Sequence, residues 1–204
     1  MPLYKQTELD ARTRIGLWHI TEDLSFFETA LAPGAITHET KRKQWYASRL
    51  LANEISANSI SIVNHANGKP VIENSNTHIS ISHTQHMAAV ILSSGSPVGI
   101  DIEMVHPKVE RIAHKFLSPE ELANISDVNR IEKLILYWSA KESMYKLFGK
   151  GGLEFKTQLS VDDFILAEQG TIHGRIIAPD YPDKKMKLHY SFLENHVLTY
   201  VVGL

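Results

Sequence analysis

A helical pattern followed by β-patterned segments occurs twice along this 204-residue chain, and this repeated order constrains the fold most. In the first half, apolar side chains recur at helical intervals over residues 40–57, and β patterns follow at residues 59–63, 79–82 and 87–93. In the second half, a helical pattern covers residues 129–147, and β-patterned segments lie near the C-terminus. The order predicts two units, each with one long helix and paired strands.

Residues 78–92 and 188–202 are similar to each other in pattern. Each contains a polar loop between two β-patterned stretches, and His86 and His196 hold equivalent positions. Two similar units of about 100 residues each suit the length of the chain. The predicted units are an N-terminal half at residues 1–97 and a C-terminal half at residues 98–204.

The composition excludes several functional classes. No cysteine is present, which removes disulfide frameworks, thiolate metal sites and a cysteine nucleophile, and which agrees with a reducing compartment. The 21 Lys and Arg against 23 Asp and Glu leave a net charge of −2, which argues against a nucleic-acid binder with a basic surface. The N-terminal residues lack the apolar core of a secretion signal, and no aliphatic stretch approaches the roughly 20 residues of a membrane span. We therefore expect a cytoplasmic protein with neither nucleic acid nor membrane as a partner.

Two carboxylates share one face of a predicted strand over residues 98–105. Residues 98–103 alternate strictly: Val98, Ile100 and Ile102 lie on one face of the strand, and Gly99, Asp101 and Glu103 lie on the other. At a rise of about 3.3 Å per residue, Asp101 and Glu103 lie roughly 6–7 Å apart, close enough to hold one hard cation. Gly99 is expected to leave room beside them. The alternative is a half-exposed strand with a solvated acidic face.

The second predicted helix places a carboxylate among apolar side chains. The apolar stripe consists of Ile131, Leu134, Ile135, Trp138, Tyr145 and Phe148. At roughly 100° per residue, Glu142 falls inside this stripe and Lys146 lies on its edge. Burial of an uncompensated carboxylate is costly, so Glu142 should be paired or should bind a cation. The alternative is a surface pair between Glu142 and Lys146 at i,i+4 spacing.

Asp101, Glu103, Glu142 and Lys146 together suit Mg²⁺ and phosphoryl transfer. Mg²⁺ prefers a few carboxylates, several waters and phosphate oxygens. One carboxylate could accept the proton of an attacking hydroxyl group, and the lysine could stabilise the charge of a leaving phosphate. Candidate anion contacts are Lys41, Arg42, Lys43, Arg49, Lys69, Ser82 and His83. Each of these residues could instead be an ordinary charged or polar residue of a solvated surface or a turn.

In their order along the chain, these motifs resemble the 4′-phosphopantetheinyl transferase superfamily, specifically its longer, monomeric Sfp-type branch. The resemblance covers about residues 41–155. The matching strings are Gly68-Lys69-Pro70, Ile79-Ser80-Ile81-Ser82-His83, the string from Val98 to Glu103, Phe116-Leu117-Ser118 with Glu120, Trp138-Ser139-Ala140-Lys141-Glu142-Ser143-Met144-Tyr145-Lys146, and Gly149-Lys150-Gly151. Each string alone is weak, whereas the ordered set is highly specific.

The resemblance implies an Mg²⁺-dependent transferase. Such an enzyme moves the phosphopantetheinyl arm of coenzyme A onto a serine of an apo acyl or peptidyl carrier protein and releases adenosine 3′,5′-bisphosphate. By position, Asp101, Glu103 and Glu142 would hold Mg²⁺, with Mn²⁺ as the other candidate ion. Glu142 would also take the serine proton, and Lys146 would support the leaving group. The implied catalytic residues are therefore Glu142, Lys146 and Asp101.

The resemblance also implies contacts with coenzyme A. Ser82 and His83 would meet the region of the 3′-phosphate, and Lys69 would help to hold the nucleotide end. Further candidate contacts are Arg42, Arg49 and Lys150. Which basic residue near the first helix touches phosphate stays open.

The family fold is α+β. It consists of two similar subdomains related by a pseudo-twofold axis, each a small antiparallel sheet packed with helices, with coenzyme A in the cleft between them. For a chain of this length the resemblance implies a monomer. The carrier protein, its pathway in fatty-acid, polyketide or peptide biosynthesis, and the tolerance for acylated coenzyme A stay open.

Two other functions fit part of the pattern. A metal-dependent phosphodiesterase or nuclease also uses clustered carboxylates with a nearby lysine, but the slightly acidic net charge and the spacing of Glu142 and Lys146 argue against it. A non-catalytic module that binds coenzyme A or a carrier protein would not need these two side chains in place.

Overall fold

The structure, a computed structural model, describes residues 3–28, 36–56, 58–179 and 181–203. The chain divides into two compact units, Met1–Pro97 and Val98–Leu204. Each unit combines antiparallel sheet with helices, so the predicted α+β class is confirmed. Within the described ranges, no helix is long and apolar enough to cross a bilayer.

In its described residues, the first unit contains a four-stranded antiparallel sheet, a short hairpin and two helices. Its strands are β1 (Leu3–Glu8), β2 (Thr13–His19), β3 (Ile62–Asn64), β4 (Pro70–Ile72), β5 (His78–His83) and β6 (Met87–Ser93). Its helices are α1 (Leu24–Glu28) and α2 (Glu39–Ile55). The sheet has the order β1-β2-β6-β5, and β3 pairs with β4. Helix α2 packs across β2, β5 and β6 and buries Tyr46, Leu51 and Ile55 in the core.

Most predicted elements of the first unit are confirmed with shifted ends. Helix α2 begins one residue before the predicted start, and Ala57, at the predicted end, lies outside the described residues. The bounds predicted for a strand over residues 59–63 are wrong, because Asn53 Oδ1 accepts the Ile60 N–H at 2.8 Å and the ladder begins only at Ile62. Strands β1, β2 and β4 were not predicted.

The described part of the second unit contains a five-stranded antiparallel sheet and one long helix. Its strands are β7 (Val98–Met104), β8 (Leu159–Val161), β9 (Gln169–Ile176), β10 (Met186–Leu193) and β11 (His196–Val202), in the order β7-β11-β10-β9-β8. Its helices are a 3₁₀ helix (Pro107–Arg111), α3 (Ala113–Phe116), α4 (Pro119–Ala123), α5 (Arg130–Phe148) and α6 (Phe155–Gln158). Helix α5 packs across β7 and β11, next to the 3₁₀ helix.

Residues in the left-handed backbone conformation bound helix α5. Asn129 precedes the helix with a φ of 54°, and Gly149 follows it with a φ of 67°. The Gly149 N–H donates to the Tyr145 carbonyl group at 3.1 Å, which closes the last turn. The helix predicted over residues 129–147 is therefore confirmed with a shift of one residue at each end.

The two similar sequence segments both form hairpins. Strand β5 pairs with β6, and β10 pairs with β11. In each unit the last strand of the hairpin also pairs with the strand that precedes the long helix, β6 with β2 and β11 with β7. The aligned histidines differ in environment, because His86 is exposed in a loop and His196 is buried at the start of β11.

A glycine in β7 allows helix α5 to approach the sheet closely. A Cβ atom at Gly99 would overlap the Ser143 carbonyl oxygen and would lie 2.9 Å from the Leu147 nitrogen. The expectation that Gly99 leaves room beside the carboxylates is therefore wrong, since the backbone of α5 fills that space. In the first unit, a Cβ atom at Gly16 of β2 would likewise lie 2.6 Å from Leu51 Cδ1 of α2.

Gly99→Ala should destabilise the second unit by about 2–3 kcal/mol, because the added methyl group must displace the backbone of a buried helix. Gly95→Ala is the matched control, since its methyl group would meet the flexible Arg12 side chain, with Cδ at 3.2 Å. We expect the control to change the free energy of unfolding by no more than about 0.5 kcal/mol. Urea denaturation measures both values. Equal effects at the two positions would contradict the close approach at Gly99.

Candidate active site

Helix α5 is buried around most of its circumference, which corrects the predicted stripe. Leu134, Ile135, Leu136, Tyr137, Ser139, Ala140, Lys141, Ser143, Met144 and Leu147 are buried. Trp138, Tyr145 and Phe148, predicted to face the core, are only half-buried. Glu142 therefore lies on the more open side of the helix and is half-buried, as Trp138 and Tyr145 are. The prediction failed because the helix packs against the sheet on one side and the 3₁₀ helix on another, so apolar periodicity no longer marks a single buried face.

Asp101 forms a short ion pair with Lys146. The Lys146 Nζ donates to Asp101 Oδ1 at 2.7 Å, and the side chains are 24% and 3% exposed, respectively. The strand that carries Asp101 is buried from Val98 to Ile102, so the alternative of a solvated acidic face is wrong. Lys146 thus reaches across to the strand, whereas the alternative interpretation of the sequence was a surface pair with Glu142 at i,i+4 spacing.

Glu103 is held by a tryptophan. The Trp138 Nε1–H donates to Glu103 Oε1 at 2.9 Å. Burial, helped by the negative charge of Asp101, raises the pKa of Glu103 to about 7, against the opposing effects of the Trp138 hydrogen bond and the Lys146 charge. Trp138 and Glu103 lie 35 positions apart, and nothing in the sequence connects them.

Glu142 also titrates close to neutral pH. Burial, together with the charge of Asp101, raises the pKa of Glu142 to about 7, and the positive charge of Lys146 opposes the shift. A carboxylate with such a pKa is about half ionised at pH 7 and can both accept and release a proton there.

The three carboxylates suit a hard divalent cation by their chemistry. Asp101 raises the pKa of both Glu103 and Glu142, so the three groups lie within electrostatic reach of one another, and oxygen donors are what such cations prefer. Among the side chains that the structure describes, no three His, Asp or Glu converge on one point as metal ligands.

A fully buried lysine anchors α5 to neighbouring segments. Lys141 Nζ donates to Glu121 Oε2 at 2.7 Å and to the carbonyl groups of Phe116 and Phe155 at 2.7 and 3.0 Å. Glu121 Oε2 also accepts the Ser118 N–H at 2.8 Å, as part of a capping box at the start of α4. Burial lowers the pKa of Lys141, and its contact with Glu121 opposes that shift. Lys141 lies in one of the motifs that resemble the family, but the sequence does not predict which groups it contacts.

The first unit has a pocket of about 370 Å³ with a basic lining. Side chains that line it include Lys41, Trp45, Ser48, Arg49, Ile81 and His83. The Arg49 guanidinium group lies 4.0 Å from the centre of the Trp45 ring, and burial lowers the pKa of Arg49 to about 10. The pocket therefore brings together three of the predicted anion contacts, Lys41, Arg49 and His83, with an aromatic ring that was not predicted as part of a site.

The other predicted anion contacts lie around this pocket or away from it. Lys69 lies between two residues of the lining, Gly68 and Pro70, and burial lowers its pKa. Ser82 is buried on the face of β5 opposite to His83, since neighbouring residues of a strand alternate. Arg42 is half-buried in the first turns of α2. Lys150, in the second unit, is exposed and lies 5.8 Å from the Phe148 ring.

A family model described as the 4′-phosphopantetheinyl transferase superfamily matches residues 97–201, which include β7, α5 and all but the last residue of β11. The chain belongs to this superfamily. The family predicted from the ordered motifs is therefore confirmed, and the matched residues include Asp101, Glu103, Glu142 and Lys146.

Curated 4′-phosphopantetheinyl transferases are similar to parts of the chain. One from Bacillus subtilis is 32% identical over 117 residues, which are 55% of this chain and 50% of the relative. The transferase Sfp of Bacillus subtilis strain 168 is 35% identical over 88 residues, 41% of this chain and 39% of the relative. HetI of Nostoc sp. PCC 7120 is 29% identical over 93 residues, again 41% and 39%. The matched part of the chain thus spans half or less of the length of these relatives.

Glu142→Gln should stabilise the protein at pH 8 in buffer free of divalent cations. The folded state keeps the Glu142 proton up to a pH of about 7, whereas the unfolded chain releases it near 4.5. Stability therefore falls as the pH rises between these values, and the full cost of the charge is present above 7. After solvent screening, we expect the variant to gain roughly 1–2 kcal/mol at pH 8 and nothing at pH 4.

Urea denaturation at the two pH values measures this difference. Glu168→Gln is the matched control, because Glu168 is an exposed carboxylate of the same unit and should show no gain at either pH. A Glu142→Gln variant no more stable than the wild type at pH 8 would contradict the prediction.

Proposed function

We propose that this protein transfers the 4′-phosphopantetheinyl group of coenzyme A to a serine of an apo acyl or peptidyl carrier protein, with release of adenosine 3′,5′-bisphosphate. One observation carries the proposal: the Asp101–Lys146 ion pair lies beside two carboxylates with pKa values of about 7, within the part of the chain that matches the superfamily.

Glu142 is the proposed general base. The serine hydroxyl of the carrier must lose a proton as its oxygen attacks the β-phosphorus of coenzyme A, and a carboxylate with a pKa of about 7 accepts that proton at neutral pH. Lys146 is the proposed electrostatic partner of the leaving phosphate, and Asp101 holds its ammonium group at 2.7 Å. In this proposal the bond from phosphorus to the adenosine bisphosphate oxygen breaks as the bond to the serine oxygen forms.

Asp101, Glu103 and Glu142 are the proposed ligands of Mg²⁺, with Mn²⁺ as the other candidate. A divalent cation bound there would neutralise charge on the diphosphate. Trp138 fixes one of the Glu103 oxygens by its hydrogen bond of 2.9 Å, so this carboxylate is oriented before any ligand binds.

Basic residues of the first unit are the proposed contacts for the nucleotide end of coenzyme A. Lys41, Arg49 and His83 line one pocket, and charge-assisted hydrogen bonds from such groups suit phosphate. Lys69, which lies beside the pocket lining, is proposed to bind the nucleotide end of coenzyme A. Ser82, Arg42 and Lys150 are retained as further candidates.

The proposal includes a monomer that acts in the cytoplasm on a carrier protein. The absence of cysteine and the near-neutral net charge of −2 agree with that setting. The direct test supplies purified protein with coenzyme A, Mg²⁺ and a panel of apo carrier proteins and follows the carriers by mass spectrometry. We expect at least one carrier to gain the mass of a phosphopantetheinyl group. No gain on any carrier would refute the proposed function.

Two substitutions should separate chemistry from binding. Glu142→Gln removes the base and should lower kcat by about 100-fold or more, whereas Lys69→Ala removes a phosphate contact and should mainly raise the KM for coenzyme A, by about tenfold. Steady-state kinetics with one carrier measures both, and Glu168→Gln serves as the control with unchanged parameters. Similar losses of kcat with unchanged KM in both variants would contradict this division of roles.

A further inference from the structure

Three fully buried hydroxyl groups join helix α5 to strand β11. Ser139, Ser143 and Thr199 are each 0% exposed. Thr199 Oγ1 lies 2.9 Å from Ser139 Oγ and 2.6 Å from Ser143 Oγ. The Thr199 hydroxyl group donates to the Ser139 carbonyl group at 2.8 Å, and the Ser143 hydroxyl group lies 3.1 Å from the Thr199 carbonyl oxygen. The proposed chemistry uses none of these groups.

The hydroxyl groups lie at the point where the helix and the strands of the candidate active site meet. Thr199 is the register partner of Asp101 in the β11–β7 pair. Ser139 and Ser143 are one turn apart, with Glu142 between them in sequence and Lys146 three residues after Ser143. The hydrogen bonds of Thr199 therefore connect the sheet position of Asp101 to the two helical residues that face it.

Apolar packing alone does not fix the position of this helix. Apolar contact is non-directional and depends on buried area, and Gly99 offers the helix a surface without a side chain to lock against. A slip of one residue moves a helix by about 1.5 Å and turns it by about 100°. A hydrogen bond tolerates only a few tenths of an ångström, so the hydroxyl groups constrain both the axial position and the rotation of α5, in addition to the anchor at Lys141.

We infer that Thr199 is a positioning residue: its hydroxyl group fixes helix α5 on strand β11 so that the Lys146 ammonium and the Glu142 carboxylate are set against Asp101. The inference rests on the proposed transferase function. It predicts that removal of one buried hydroxyl group, whose hydrogen bonds go to Ser139 and Ser143, slows the chemical step.

Two substitutions at Thr199 separate the hydroxyl group from the shape of the side chain. Thr199→Val keeps the branched shape and removes the hydroxyl group, whereas Thr199→Ser keeps the hydroxyl group and removes the methyl group. The valine variant should fold, because the Ser139 and Ser143 hydroxyl groups can turn to the carbonyl groups four residues earlier in the helix. If the valine variant does not fold, Ser139→Ala replaces it, because this variant removes a different hydroxyl group of the same network and should lower kcat in the same way.

The experiment measures transfer to a carrier protein at saturating Mg²⁺. We expect Thr199→Val to lower kcat by about tenfold with the KM for coenzyme A within about twofold of the wild type, because misplacement by a fraction of an ångström mainly affects the transition state. Thr199→Ser should restore kcat to within about twofold of the wild-type value. Amide hydrogen exchange over Arg130–Phe148, measured without substrate, should be faster in the valine variant than in the serine variant.

Thr13→Val is the matched control. Thr13 is 2% exposed on β2, and its hydroxyl group lies 3.3 Å from Ser93 Oγ, so the variant loses a buried hydroxyl group of the first unit. It should keep the wild-type kcat. An unchanged kcat in Thr199→Val, an equal loss in Thr199→Ser, or an equal loss in Thr13→Val would each overturn the inference.

Failure of the proposed function has a different signature. If the wild-type protein transfers nothing to any carrier, the proposed function fails. The hydrogen-exchange measurement then tests by itself whether the Thr199 hydroxyl group fixes helix α5. Equal exchange rates over α5 in the valine and serine variants would then overturn the inference, and faster exchange in the valine variant would support it.

Discussion

The close approach of helix α5 to strand β7 at Gly99 is the constraint on which the second unit depends. Only a residue without a Cβ atom admits the Ser143 backbone at that point. Because the helix lies so near, Lys146 reaches Asp101 at 2.7 Å and Trp138 reaches Glu103 at 2.9 Å. A larger residue would move the helix outward and would separate Lys146 from Asp101 and Trp138 from Glu103.

The short distances between these carboxylates destabilise their ionised forms, and the protein compensates for this in only one of the three. Three carboxylates lie near one another, but among the residues that the structure describes only Asp101 has an ammonium group at ion-pair distance. Glu103 and Glu142 remain destabilised as anions, which is why their pKa values rise to about 7. Such stored destabilisation is typical of functional sites, where burial and neighbouring charges shift the pKa values of the groups that act on substrates.

Local sequence patterns predicted the long helices and the central strands, and the ordered motifs predicted the family. Helix α5 lies within one residue of its predicted bounds because Asn129 and Gly149 end it locally. The face of the same helix was predicted incorrectly, since two layers cover it and its buried side chains include Lys141 and Ser143. Contacts such as Trp138 with Glu103 and Thr199 with Ser139 join distant parts of the chain, and no local pattern encodes their distances.

The buried lysine of α5 offers a way to observe the folded state. Lys141 is 0% exposed with three acceptors around its ammonium group, whereas Lys146, five residues later on the same helix, is 24% exposed. An amine-reactive label can reach Lys141 only when the helix has left its neighbours. The fraction of chains labelled at that residue therefore counts the molecules that have opened, from within a segment of the chain that also carries the proposed chemistry.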